Sequence, residues 1–82
     1  MISAQHLRMA RAGLGWTLID LSEHSGVNPN TISRYEQGQE GLVSKWRKLE
    51  AALQAAGVVF IEDGGKTVTV RLPLQGDSKK GR

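Results

Sequence analysis

TLIDLSEHSGVNPNTISRYE, residues 17–36, reads as two short helices joined by a glycine turn. Thr17 is an N-cap for the first of them, with Asp20 three residues on, where a carboxylate meets the positive end of the helix dipole; Gly26 stops that helix soon after Leu21. Asn28-Pro29 starts the second. Asparagine accepts from the first free amides, and proline brings a preset φ and lacks an N–H that would go unpaired. The second helix is expected from about Pro29 to Gln37, which makes the pair a helix-turn-helix. On it Asn30, Ser33, Arg34 and Gln37 follow the i, i+3, i+4, i+7 spacing of one face. That face offers donors and acceptors and no carboxylate, a chemistry suited to base edges and phosphates in a DNA groove.

Upstream, Ser3 caps a helix in which Leu7, Ala10, Arg11 and Leu14 share one stripe, ending near Gly13 or Gly15, and Trp16 plugs the junction. Downstream, Gln37-Gly38-Gln39-Glu40-Gly41 is a loop on its glycine content. Ser44 is expected to open a fourth helix with an apolar stripe of Trp46, Leu49, Ala52, Leu53 and Ala56, ended by Gly57. Beyond Gly57 the period changes from near 3.6 to 2: Val58-Val59-Phe60-Ile61, a turn over Glu62-Asp63-Gly64-Gly65-Lys66, then Thr67 to Leu72, a β-hairpin.

In the second strand Val68, Val70 and Leu72 point one way and Thr67, Thr69 and Arg71 the other. In the first, Val58 and Phe60 suit the helices, yet Val59 and Ile61 on the opposite face are apolar too. A two-stranded hairpin is marginal alone, so an apolar outer face asks for a cover, which a second copy of the hairpin would supply. The expected organisation is a mainly α chain of about four helices with a helix-turn-helix over 1–57, a hairpin at 58–72 as a dimerisation element, and a disordered basic tail at 73–82. Lys79, Lys80 and Arg82 in that tail fit a solvated terminus better than a phosphate contact.

Eighty-two residues is one small domain with a modest core. The absence of cysteine rules out a disulfide framework or thiolate metal site and fits a reducing compartment, with the cytoplasm expected. The longest uncharged stretch, Ala51–Ile61, is too short to cross a bilayer at about 20 residues, and no signal peptide is expected, because Arg8 and Arg11 precede any apolar run. A net charge of +3 permits a polyanionic partner without demanding one. His6 and His24 read as surface residues, because neither shares a metal-ligand spacing with a cysteine or second histidine. No serine has a nucleophile's setting and no glycine run matches a phosphate loop, so no enzyme, metal or cofactor is expected.

Two charges fall on inward faces. Arg11 lies on the apolar stripe of the first helix, and Glu36 shares the Ile32/Tyr35 stripe of the third. A buried charge left unpaired costs several kcal/mol, so the economical expectation is an Arg11–Glu36 ion pair; a catalytic carboxylate would need a second acid or histidine, and none is spaced for it.

With those residues in place the chain resembles the lambda-repressor-like, Cro/XRE-type helix-turn-helix regulators over about residues 3–56. The resemblance is carried by Leu7-Arg8…Arg11, Leu14-Gly15-Trp16-Thr17, Leu21, Ser25-Gly26-Val27-Asn28, Thr31 through Gly38, and Leu49…Ala52-Leu53. GVxxxTISxxExG is specific for that family, and AAGVVFIEDGG is similar to small bacterial and phage members that append a hairpin. The resemblance implies a lambda-repressor-like bundle that places the third helix in the major groove. By position it implies base contacts from Pro29, Asn30 and Arg34, with Thr31 and Ser33 secondary. Arg34 suits guanine and Asn30 adenine, while Pro29 has no donor and offers only apolar packing. Phosphate contacts are expected from Arg8, Thr17, Gln37, Lys45, Arg47 and Lys48, although Arg47 and Lys48 fit an ordinary solvated face equally well.

Three positions depart from the family pattern. Leu18 stands where glutamine usually anchors a phosphate, Glu40 brings a negative charge to a loop that passes phosphates in relatives, and Ser22 replaces a small alanine. The expected function is a sequence-specific regulator of transcription, a repressor acting by operator occupancy on double-stranded DNA as a homodimer. The competing readings are an antitoxin that also binds a toxin, and an adaptor that keeps the fold without DNA binding.

Overall fold

The computed structural model describes residues 2–63 and 67–73; the expected hairpin tip at 64–66 and the tail from 74 onward lie outside the described residues. Four helices, α1 (Ala4–Gly13), α2 (Leu18–Ser25), α3 (Pro29–Glu36) and α4 (Val43–Ala55), are followed by strands β1 (Val59–Asp63) and β2 (Thr67–Arg71). The chain is mainly α with a C-terminal antiparallel hairpin.

Local chemistry explains where the first three helices begin. Ser3 Oγ accepts from the His6 amide while the Ser3 amide donates to His6 Nδ1, a capping box with histidine in the usual acidic place. Thr17 Oγ1 accepts from the Asp20 amide at 3.0 Å and the Thr17 amide donates to Asp20 Oδ2 at 2.9 Å. Asn28 Oδ1 accepts from the Asn30 amide at 2.8 Å, with Pro29 as the first helical residue. Between α2 and α3 the chain reverses at Gly26, whose φ of +80° lies in the left-handed region that an L side chain resists.

Helix α4 departs from the sequence expectation. It begins at Val43 with Leu42 as N-cap and no side-chain cap, so Ser44 lies within the first turn and does not open the helix. The start is fixed from outside: the Leu42 amide donates to the Tyr35 hydroxyl at 3.1 Å, and the Tyr35 ring stacks on Trp46 with centroids 5.1 Å apart. Gly41 passes so close to the Tyr35 ring that a Cβ there would collide with it. A tertiary contact thus sets this boundary, and residue type at position 44 does not. Helix α3 closes one residue early, with Gln37 as its C-cap.

The first strand is also shifted. Val58 is not in it, because its amide donates to the Leu53 carbonyl at 3.0 Å and completes the end of α4 while its side chain enters the core. At the other end Glu62 and Asp63, expected in the turn, belong to the ladder opposite Val68 and Thr67. Pairing runs Val59↔Arg71, Phe60↔Val70 and Ile61↔Thr69 before reaching them.

Leu7, Leu21, Ile32, Leu49 and Leu53, at least one from every helix, meet Val58 in the centre with no meaningful exposure. Each such side chain removed from water contributes about 1.5–3 kcal/mol before entropy is counted. Leu14, Trp16, Leu18, Phe60 and Val70 pack on the rim of this core. Leu72 lies against Gly13, where any Cβ would meet its side chain. The hairpin therefore continues the helical core, and Val59 and Ile61 remain outside it, 43% and 38% exposed.

Candidate nucleic-acid interface

Helix α3 is divided lengthwise. Ile32, Tyr35 and Glu36 are buried, and on the opposite side Asn30, Arg34 and Gln37 are exposed with Pro29, Thr31 and Ser33 half-buried between. Asn30 and Arg34 are one turn apart and share a face. Gln37 Nε2 donates to Ser33 Oγ at 3.2 Å, which leaves the serine hydroxyl proton and the glutamine oxygen available on the same surface. No carboxylate lies among these exposed residues of α3.

The buried side is anchored by charge. Arg11 Nε donates to Glu36 Oε2 at 2.6 Å and Arg11 Nη2 donates to Glu36 Oε1 at 3.0 Å, a bidentate fork. The third guanidinium nitrogen, Nη1, donates to the Trp16 carbonyl at 2.8 Å, which ties the α1–α2 junction to the same pair. The hydrogen bonds with Glu36 hold the Arg11 pKa above its ordinary value, outweighing partial burial, with direct charge attraction adding to them. Arg8, one turn earlier on α1, donates from Nη1 to the Glu36 carbonyl at 3.2 Å.

The other sequence-named residues lie around this helix. Thr17 is exposed at the start of α2, and its hydroxyl accepts the cap hydrogen bond while keeping a proton to donate. Lys45 is half-buried in the first turns of α4, and Arg47 and Lys48 are exposed further along. Leu18 packs on the core, so its side chain serves the interior; Ile19 beside it is 55% exposed. Glu40 is exposed in the α3–α4 loop.

Three contacts escaped the sequence reading: Arg8 on the Glu36 carbonyl, the Tyr35 hydroxyl on the Leu42 amide, and a parallel stack of His24 on Trp16 with centroids 4.2 Å apart. Only the first left a signal, because Arg8 and Arg11 at i, i+3 reach the same side of α1. Among the described residues no three of His, Asp and Glu gather as a metal-ligand set.

Two short helices about a left-handed glycine, the second with a buried anchor and an exposed polar face, inside a four-helix bundle, define a helix-turn-helix of the DNA-binding class. The helix-turn-helix domain family matches residues 4–59, and the chain belongs to it. The family is one of DNA-binding regulators and not of enzymes. No curated protein and no solved structure gives a match. No helix among the described residues is long and apolar enough to cross a membrane.

Proposed function

We propose that the chain is a sequence-specific DNA-binding repressor that occupies its operator as a homodimer in the cytoplasm. The observation that carries this reading is the split of α3, with Ile32, Tyr35 and Glu36 locked inward and Asn30 and Arg34 free outward. In the major groove Arg34 reads guanine through its fork, Asn30 reads adenine, and Thr31, Ser33 and the Pro29 ring supply secondary contacts. Thr17, Gln37 and Lys45 hold phosphates on either side, joined by Arg47 and Lys48 along α4.

One module of this size reads only a few base pairs. Two related by a twofold axis read half-sites about one turn apart, roughly 34 Å, and gain affinity and specificity together. The exposed Val59 and Ile61, across the ladder from Arg71 and Thr69, form the apolar face that a second copy covers. Selection of bound duplexes from random DNA tests the reading. Enrichment of a twofold-related motif supports it, and recovery of unenriched sequence with weak, salt-insensitive binding favours the adaptor instead.

A further inference from the structure

The carbonyls at the end of α3 are satisfied one by one. Those of Ser33, Arg34 and Tyr35 accept from the amides of Gln37, Gln39 and Gly38. The Glu36 carbonyl accepts from the Arg8 guanidinium. Residue 36 is thus gripped at two points from α1, its carboxylate by Arg11 and its backbone by Arg8. Ile32 and Tyr35 seat α3 in the core, and two contacts at separate atoms of residue 36 further fix the rotation of its C-terminal end. A cation at a helix C-terminus is also favoured by the dipole.

We propose that Arg8 is a positioning residue for sequence recognition: its hydrogen bond to the Glu36 carbonyl sets the pose of α3, two residues beyond Arg34, and it neutralises no phosphate. The proposal rests on the DNA-reading function of α3 given above. It assigns Arg8 a role different from the phosphate contact expected of its charge. A hydrogen bond to a neutral carbonyl leaves the guanidinium charged, so the salt slope is the discriminating quantity: held at the Glu36 carbonyl and meeting no phosphate, Arg8 displaces no counterion, and its removal leaves the slope unchanged. Loosening the helix costs affinity where base edges must be met closely, and costs little on DNA held only through its backbone.

The test compares the full chain with Arg8→Met, which keeps the apolar stem, and with Arg8→Lys, which keeps the charge. The probes are a duplex selected from random DNA by the unsubstituted chain and a scrambled duplex of the same composition, each titrated over a range of salt, with thermal melts run in parallel. Arg8→Met is expected to lose about three- to tenfold on the selected duplex, with scrambled binding and the log–log salt slope unchanged. Arg8→Lys, whose single ammonium lacks the planar fork, recovers part of that loss at the same slope. A slope shallower by about 0.9 in Arg8→Met, with parallel losses on both duplexes, makes Arg8 a phosphate contact and overturns the proposal. A lowered melting temperature with unchanged selectivity of the folded chain also overturns it, leaving Arg8 merely structural. Failure of the unsubstituted chain to prefer its selected duplex refutes the DNA reading itself, and is told apart because it precedes any substitution.

Discussion

Arg11 on α1 and Glu36 on α3 form a bidentate ion pair at 2.6 and 3.0 Å, with the Glu36 side chain only 8% exposed. The pair joins the second helix of the helix-turn-helix, α3, to a helix outside the motif. Removing one partner leaves the other charge buried without compensation, which costs about 3 kcal/mol. Arg11→Ala is therefore expected to lose about that much stability in urea denaturation. Arg11→Met combined with Glu36→Leu is expected to lose clearly less than the sum of the two single changes; strict additivity would mean that the pair is not coupled. Because the Arg11 pKa is raised in the folded state, its contribution is fully present below the unfolded-state value and is lost only in strongly alkaline solution. Across the neutral range the Arg11→Ala deficit should not vary through titration of Arg11 itself.

The start of α4 depends on Tyr35. Tyr35→Phe removes the oxygen that accepts the Leu42 amide and is expected to cost about 1 kcal/mol. Gly41→Ala drives a methyl into the Tyr35 ring and is expected to cost about 1–3 kcal/mol, with a changed near-ultraviolet circular dichroism from the Tyr35–Trp46 stack. An alanine variant with unaltered stability and spectrum would show that the loop has room the packing denies.

Base reading and phosphate holding separate by experiment. Arg34→Ala is expected to flatten preference at one base position in each half-site, a loss of about 1–3 kcal/mol on the best sequence. Lys45→Ala is expected to weaken binding to all sequences alike and to shallow the salt slope by about 0.9. Competition binding against single-base variants of the selected site distinguishes them. Equal effects of Arg34→Ala on every sequence would remove Arg34 from base recognition.

The proposed dimer contact lies on the outer face of the hairpin, at Val59 and Ile61. Ile61→Lys places a charge in the centre of the apolar patch and is expected to give monomers in sedimentation velocity at concentrations where the unsubstituted chain is dimeric. An unchanged dimer would move the interface to another exposed apolar pair, such as Leu42 and Val43.

The helices and their caps were legible because they rest on local chemistry: Ser3, Thr17 and Asn28 accept from amides two or three residues ahead, and Gly26 reverses the chain between them. The meeting of Arg11 and Glu36 was legible for a different reason, since two inward charges of opposite sign need each other. What could not be read was set by contacts between elements. The start of α4 answers to a phenol seven residues upstream, and the first strand begins late because the Val58 amide is used by α4. Arg8 shows the same limit within the candidate site. Its charge suggested a phosphate, and only its place beside the end of α3 shows a carbonyl within reach.

Sequence-selective DNA binding through α3 is measured by the ratio of affinities for a selected duplex and its scrambled counterpart at near-physiological salt. Base reading by α3 is expected to give a preference of about a thousandfold or more, with affinity for both duplexes falling steeply as salt rises. Equal, salt-insensitive affinities for the two duplexes would contradict it.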